Sequence, residues 1–201
     1  MNERVMISRI LSDAKNVPNT IGYKLEKGLG TLKDESEACM KPRWAYMFAR
    51  DVPGANIEKC QETACKDPYY AYIFARYIPG ADLEKCCEIA CTYQVYAYKF
   101  ARYIPGANID KCQEAVCKNA EWAYLFAKDI PGADIEKCQE ASCKDPEYAY
   151  YFAHNIPNAN VEKCQKAACQ DPFYAYCFAK NIPGADKERC RRACEGTKYA
   201  F

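Results

Sequence analysis

Six tyrosines spaced 26 residues apart are each followed, four residues later, by a side chain that can carry a positive charge. Residues four apart lie on one side of an α-helix, so each pair would place a cation beside an aromatic ring. Spaced cations can follow phosphates while aromatic faces stack on bases, which favours nucleic-acid binding. A cation in the last helical turn can instead complement the helix dipole and cover the tyrosine with its alkyl stem. The pairs are Tyr46 with Arg50, Tyr72 with Arg76, Tyr98 with Arg102, Tyr124 with Lys128, Tyr150 with His154, and Tyr176 with Lys180.

The paired tyrosines are predicted to face away from the protein core. Tyr72 lies about 200° around its helix from Tyr70, which belongs to the predicted core stripe. Two neighbouring slots vary from one pair to the next, as a recognition surface would. Tyr77 and Tyr103 occupy one of these slots and are predicted to be exposed in a tyrosine-rich binding patch. The other slot holds Met47, Ile73, Lys99, Leu125, Tyr151 and Cys177.

Positive and negative charges balance over the whole chain, but one segment near the C-terminus is basic. The 28 Lys and Arg against 27 Asp and Glu leave a formal net charge of +1, which excludes a strongly basic nucleic-acid coat and an acidic tail. The segment KERCRRAC near the C-terminus is basic, and its Arg189, Arg191 and Arg192 would suit an acidic partner.

The 15 cysteines fall mainly into two columns, five residues apart within each repeat. Five residues along a helix give a rise of about 7.5 Å and a rotation of about 140°, so two such sulfurs cannot bond. We interpret these cysteines as small buried apolar residues. Storage of soft Cu(I) is the alternative, but it needs converging thiolates and this spacing sends the paired cysteines in different directions. The sequence therefore predicts neither a metal nor another cofactor.

A catalytic constellation is missing from the sequence. The single histidine, His154, takes a slot that holds Arg or Lys in the other pairs, so it belongs to the paired column and is not a general base. There is no phosphate-binding loop, no nucleophile with a paired base, and no histidine-containing zinc motif. We expect the protein not to be an enzyme.

All of these residues are placed by one repeated unit of 26 residues. Asp67–Thr92 reads DPYYAYIFARYIPGADLEKCCEIACT, and it recurs with changes from Lys41, Tyr93, Asn119, Asp145 and Asp171. Asp followed by Pro predicts a helix start, and the next Pro predicts its end. The Gly after that Pro suits a left-handed turn, and Asp or Asn two positions later caps a second helix. Each unit is therefore two short helices that are stable only when stacked.

The repeats predict an all-α fold, an α-solenoid of six regular helix-turn-helix repeats plus a degenerate N-terminal repeat and a cap helix. We place the cap helix at residues 1–16, the degenerate repeat at 17–42 and the regular repeats at 43–196. Residues 197–201 would be a truncated repeat or a C-terminal cap. Phe74, Ile78 and Cys86 are predicted in the core.

The chain carries no sign of export or membrane insertion. Its first residues, MNERVMISRILSDAKN, contain charges every few positions and lack the apolar run of a secretory signal. No apolar stretch is long enough to cross a bilayer. We therefore expect a cytoplasmic protein with reduced thiols and no membrane partner.

The architecture resembles HEAT-like and TPR-like α-solenoids over residues 43–196, although the period is shorter and their diagnostic residues are absent. More closely, the pattern YAYxFA…IPGADxEKCQ is similar to short two-helix repeats of bacteriophage and bacterial mobile-element proteins. That resemblance implies an inhibitor of a host defence nuclease as one alternative. The primary prediction is a non-catalytic scaffold that binds a protein, and direct nucleic-acid binding is the other alternative. The oligomeric state stays open.

Overall fold

The computed structural model describes residues 20–201, which form α-helices and one short 3₁₀ helix and contain no strand. The fold is an α-solenoid of helix pairs, as predicted. The first helices of the six repeats are Pro42–Asp51 (α3), Pro68–Tyr77 (α5), Gln94–Tyr103 (α7), Ala120–Asp129 (α9), Pro146–Asn155 (α11) and Pro172–Asn181 (α13). The second helices are Ile57–Ala64 (α4), Leu83–Ala90 (α6), Ile109–Val116 (α8), Ile135–Ser142 (α10), Val161–Ala168 (α12) and Lys187–Cys194 (α14).

The degenerate repeat contains helices Ile21–Glu26 (α1) and Glu35–Ala38 (α2), with the 3₁₀ helix Leu32–Asp34 before α2. An ion pair between Lys24 Nζ and Asp34 Oδ1, 2.6 Å apart, connects α1 to the 3₁₀ helix. Hydrogen bonds from Lys24 and Thr31 lower the pKa of Asp34 to about 2. The cap helix predicted for residues 1–16 lies outside the described residues, and residues 197–201 contain no helix.

The residues predicted to start and end the helices have these roles in the structure. The Asp67 side chain accepts hydrogen bonds from the backbone N–H groups of Tyr69 and Tyr70, and Pro68 occupies the first helical position of α5. The helix ends at Tyr77, and the extended backbone of Ile78 precedes Pro79, as expected for a residue before proline. The same signals open α11 and α13.

Each turn between the two helices of a repeat contains one residue with a positive φ. Five of the six turns use glycine, with φ between 78° and 82°. Asn158 takes this position in the remaining turn with φ 62°. Glycine adopts this conformation without a steric penalty, and Asn tolerates it better than most residues, so the chain reverses direction at a fixed place in every repeat.

The chain divides into two compact units between Ala90 and Cys91. In the first unit α3 packs against α4 and α5, and α5 packs against α6. In the second unit α7, α9, α11 and α13 pack in sequence, and each contacts the second helix of its own repeat. A fully buried phenylalanine lies at the same place in every first helix: Phe48, Phe74, Phe100, Phe126, Phe152 and Phe178. The core within each unit is therefore built of one repeating layer.

Buried glutamines join successive repeats. The side chain of Gln139 donates to the backbone oxygen of Asn160 at 2.7 Å and accepts from the backbone N–H of Asn160 at 3.1 Å. Gln61, Gln113 and Gln165 make the same two bonds to residues 82, 134 and 186. Each glutamine thus fixes the start of the next second helix.

Within residues 20–201, none of the helices combines the length and apolar character needed to cross a membrane.

Candidate binding face on the first helices

The six tyrosine–cation pairs form as predicted. In the five pairs with Arg or Lys, the cation lies between 5.4 and 5.9 Å from the centre of the tyrosine ring. In the sixth pair the rings of Tyr150 and His154 are 5.8 Å apart. The i and i+4 positions of each first helix therefore hold one aromatic ring against one basic or imidazole group.

The prediction that these tyrosines face away from the core is wrong. Tyr46, Tyr72 and Tyr124 are only 9%, 5% and 8% exposed, and Tyr98, Tyr150 and Tyr176 are half-buried. For Tyr46 and Tyr124 the next first helix supplies part of the cover, because its own tyrosines pack on these rings. Tyr46 meets Tyr70 at a ring separation of 6.5 Å, and Tyr124 meets Tyr148 at 6.3 Å. These rings are therefore poorly placed to stack on bases.

Two of the cations are already engaged by acidic groups. Arg50 forms an ion pair of 2.7 Å with Asp51, and that contact raises the pKa of Arg50. Arg102 reaches Asp129 of the next repeat at 2.8 Å, and Asp129 also accepts a hydrogen bond from Tyr98. Burial, followed by the contact with Asp129, raises the pKa of Tyr98. Part of the positive charge of the column is thus neutralised within the protein.

Each unit has a groove between two adjacent first helices. The first-unit groove has a volume of about 370 Å³ and is lined by Arg43, Tyr46, Met47, Arg50, Tyr69, Tyr70 and Ile73. The second-unit groove has a volume of about 360 Å³ and is lined by Glu121, Tyr124, Leu125, Lys128, Tyr148, Tyr151 and Asn155. Six residues of the second-unit groove occupy the same repeat positions as six residues of the first-unit groove, three repeats later in the chain.

The two grooves have similar volumes and matching repeat positions but differ in chemistry. Tyr and a cation recur in both linings, whereas Arg43 of the first-unit groove corresponds to Glu121 of the second. Ile73 similarly corresponds to Tyr151. The variable slot of Met47 was identified from sequence, but the slot of Arg43 and Glu121 was missed. The change of residue type at this position from one repeat to another could have identified it from the sequence.

Tyr77 and Tyr103 are exposed as predicted, at 53% and 45%. Each lies beside the arginine that precedes it, with Arg76 at 5.3 Å from the Tyr77 ring and Arg102 at 5.7 Å from the Tyr103 ring. Neither tyrosine lines the two grooves. They add aromatic surface at the ends of α5 and α7.

The three arginines of the basic C-terminal segment and the tyrosine–cation pairs lie on different sets of helices. Arg189, Arg191 and Arg192 are all on α14, which is a second helix, whereas the pairs are all on first helices. Arg189 is half-buried and the other two are exposed. Arg191 also hydrogen-bonds to Glu188 one turn earlier.

The cysteines converge in a way that the spacing of five did not predict. Two cysteines of one helix do point in different directions, but each meets a cysteine 21 residues away in the adjacent repeat. Cys65 and Cys86 lie 3.7 Å apart, and Cys143 and Cys164 lie 3.8 Å apart. All cysteines in residues 20–201 are thiols. The sulfurs of Cys87, Cys91 and Cys112 also lie within 4.8 Å of one another. The expectation drawn from the spacing, that several sulfurs do not converge, is therefore wrong.

The comparisons with known proteins leave the chain without an assigned family. No protein-family model matches it, and no curated protein or solved structure shows significant similarity to it.

Proposed function

We propose that this protein is a non-catalytic scaffold that binds a partner protein through the grooves between its first helices. The observation that carries the proposal is the pair of grooves with the same helical positions and different side chains. A constant core with variable groove residues is the pattern of helical-repeat proteins that recognise other proteins. Leu125 and Tyr151 offer apolar and aromatic contact area, and Glu121 and Lys128 offer charges that would set the orientation of a partner.

A protein partner fits this face better than nucleic acid does. The tyrosine rings nearest the cations are largely covered, and Arg50 and Arg102 are held by Asp51 and Asp129. Glu121 would also repel a phosphate backbone that followed the second-unit groove. The regular spacing of the six tyrosine–cation pairs is what favours nucleic acid as the second candidate.

The test compares a groove variant with a surface variant. Wild-type protein, the double variant Leu125→Glu with Tyr151→Ala, and the control Glu136→Lys on α10 are used to capture partners from the source cell. The retained protein is identified by mass spectrometry and its affinity for each variant is measured by calorimetry. We expect the groove variant to bind at least about tenfold more weakly, a loss of about 1.4 kcal/mol, and the control to bind like wild type.

Equal binding by all three proteins would contradict the second-unit groove as the site. Retention of DNA or RNA without a protein, with affinity that falls steeply with salt, would favour the nucleic-acid alternative. The resemblance to phage repeats makes defence nucleases suitable purified baits in the same assay. Inhibition of one of them would identify the class of partner.

A further inference from the structure

The second helices carry a repeated pair of thiols that binding through the first helices does not use. One cysteine caps the C-terminal end of a second helix, and the other lies within the next second helix, 21 residues later. The pairs with measured sulfur separations of 3.7 to 3.8 Å are Cys39 with Cys60, Cys65 with Cys86, Cys91 with Cys112, Cys143 with Cys164, and Cys169 with Cys190. Cys117 contacts Cys138 in the same arrangement.

The two members of each pair differ in their access to solvent. The cysteine at the helix end, which we call the outer cysteine, is half-exposed in every pair. The cysteine within the next helix, the inner cysteine, is completely buried. A reagent in solution can therefore reach only the outer sulfur, and the nearest nucleophile to that sulfur is the inner thiol. This is the arrangement of an attacking thiol beside a resolving thiol.

Two of the outer cysteines line clefts that could admit a small charged molecule. Cys65 lies in a cleft of about 230 Å³ together with Glu62, Asp82 and Lys85. Its buried partner, Cys86, accepts a hydrogen bond of 3.3 Å from the amide of Gln61.

The second cleft, of about 250 Å³, contains Cys117 with Glu114, Lys137 and Lys144. Over their full linings the Cys65 cleft holds three carboxylates and one lysine, and the Cys117 cleft holds three carboxylates and two lysines, so both suit the ammonium group of an amino-acid disulfide better than its carboxylates.

The local electrostatics favour the outer sulfur as the nucleophile. A hydrogen bond from Cys86 lowers the pKa of Cys65, against burial and the charge of Asp82, which raise it. A hydrogen bond from Cys138 likewise lowers the pKa of Cys117, against burial and the charge of Asp134. The thiolate is the species that attacks a disulfide, so a lowered pKa favours Cys65 and Cys117 as nucleophiles. A hydrogen bond with Cys164 lowers the pKa of Cys143 in the same way, and the clefts distinguish Cys65 and Cys117 as points of entry.

We propose that Cys65 and Cys117 are sites of thiol–disulfide exchange with a small disulfide of the glutathione type, and that Cys86 and Cys138 convert the adducts into disulfides between adjacent repeats. The outer thiolate attacks one sulfur of the small disulfide, forms a mixed disulfide and releases one thiolate. The hydrogen bond to the outer sulfur and burial raise the pKa of the inner thiol in the reduced protein. The inner thiol therefore passes its proton to the departing small thiolate as its sulfur attacks the outer sulfur, which releases the second small thiol. Two protein thiols are oxidised and one small disulfide is reduced to two thiols.

The second step requires the two protein sulfurs to approach from 3.7 Å to about 2 Å. The outer cysteine can supply this movement because it stands at a helix terminus, where its side chain can change rotamer without leaving a packed helix interior. The cysteines five apart in one helix, such as Cys60 and Cys65, cannot form this bond while the helix is intact.

The test exposes the reduced, folded protein to oxidised glutathione, blocks remaining thiols at intervals and maps the peptides by mass spectrometry. We expect cross-links of Cys65 to Cys86 and of Cys117 to Cys138 to appear first. The same protein unfolded in guanidinium serves as the control and should give mixed pairings, including Cys60 to Cys65. Failure of the folded protein to form either expected cross-link, under conditions that oxidise the unfolded chain, would overturn the proposal.

A variant separates the two chemical steps. Cys86→Ala should lose the cross-link to Cys65 and accumulate glutathione on Cys65, while Cys117 and Cys138 still pair as an internal control. Cys60→Ala removes a comparable buried thiol and should leave the pairing of Cys65 with Cys86 unchanged. Absence of the adduct on Cys65 in folded Cys86→Ala would contradict the proposed order of attack. If Cys86→Ala does not fold, the map of the wild-type protein still decides the proposal.

Discussion

At the scale of single residues, the buried glutamines have the clearest structural role. Gln139 uses both atoms of its amide on the backbone of Asn160, and its nitrogen also donates to the sulfur of Cys164 at 3.0 Å. An apolar side chain of similar size could fill the same space but would leave these polar groups without their partner. Since unpaired polar groups are costly when shielded from water, the glutamine couples repeat packing to the start of α12.

We predict that Gln139→Leu destabilises the protein by about 1 to 3 kcal/mol, because the Asn160 backbone loses both hydrogen bonds. Urea denaturation followed by circular dichroism measures the change. The control is Glu140→Gln, an exposed neighbour whose substitution should change stability by less than about 0.5 kcal/mol. Equal stability of Gln139→Leu and wild type would show that water replaces the lost bonds.

Contacts within one helix could be predicted from sequence, whereas contacts between repeats could not. The pairing of Tyr98 with Arg102 follows from helical geometry and is confirmed. The burial of Tyr124, the bond between Gln139 and Asn160, and the thiol pairing of Cys65 all depend on where the adjacent helix lies. A repeat period gives the distance along the chain between equivalent residues, but it does not give the rotation of one repeat against the next.

At the scale of the helices, the boundaries were the most predictable feature because they depend on local chemistry. Pro68 begins α5 and Pro79 follows its end, while Asp82 accepts backbone hydrogen bonds from Glu84 and Lys85 at the start of α6. The degenerate repeat was harder to predict. Its three short helical segments lack this full set of signals, and its second part contains a 3₁₀ helix that the pattern did not indicate.

The turn glycine allows a direct test of backbone conformation. A Cβ atom added at Gly132 would meet nothing within 4 Å, although φ there is +82°. Gly132→Ala should therefore destabilise the protein by roughly 1 to 2 kcal/mol through backbone strain alone. Gly132→Asn should cost less, since Asn158 already occupies the equivalent position.

Thermal and urea unfolding of the two Gly132 variants would check this order. A cost for Asn equal to or greater than that for Ala would show that the positive φ does not decide the residue at this turn.

At the scale of the whole molecule, each compact unit is built from contacts between neighbours in sequence. In the second unit α9 packs against α7, α8, α10 and α11, whereas α14 packs against α13. Proteins of this type gain stability from each repeat and from the interfaces between adjacent repeats. Damage to one repeat is therefore expected to open its neighbours before it affects distant helices of the same unit.

Phe126 is fully buried in α9, and its replacement by alanine should cost about 3 to 5 kcal/mol because it leaves a cavity in one layer of the core. We predict that Phe126→Ala accelerates amide hydrogen exchange strongly in α9, α10 and α11 and much less in α14. Hydrogen-exchange mass spectrometry resolves these helices, and Glu121→Ala, an exposed position on the same helix, serves as the control. An equal loss of protection from α7 to α14 would instead mean that the second unit opens as a single cooperative body, in which the groove could not be altered without disturbing every repeat.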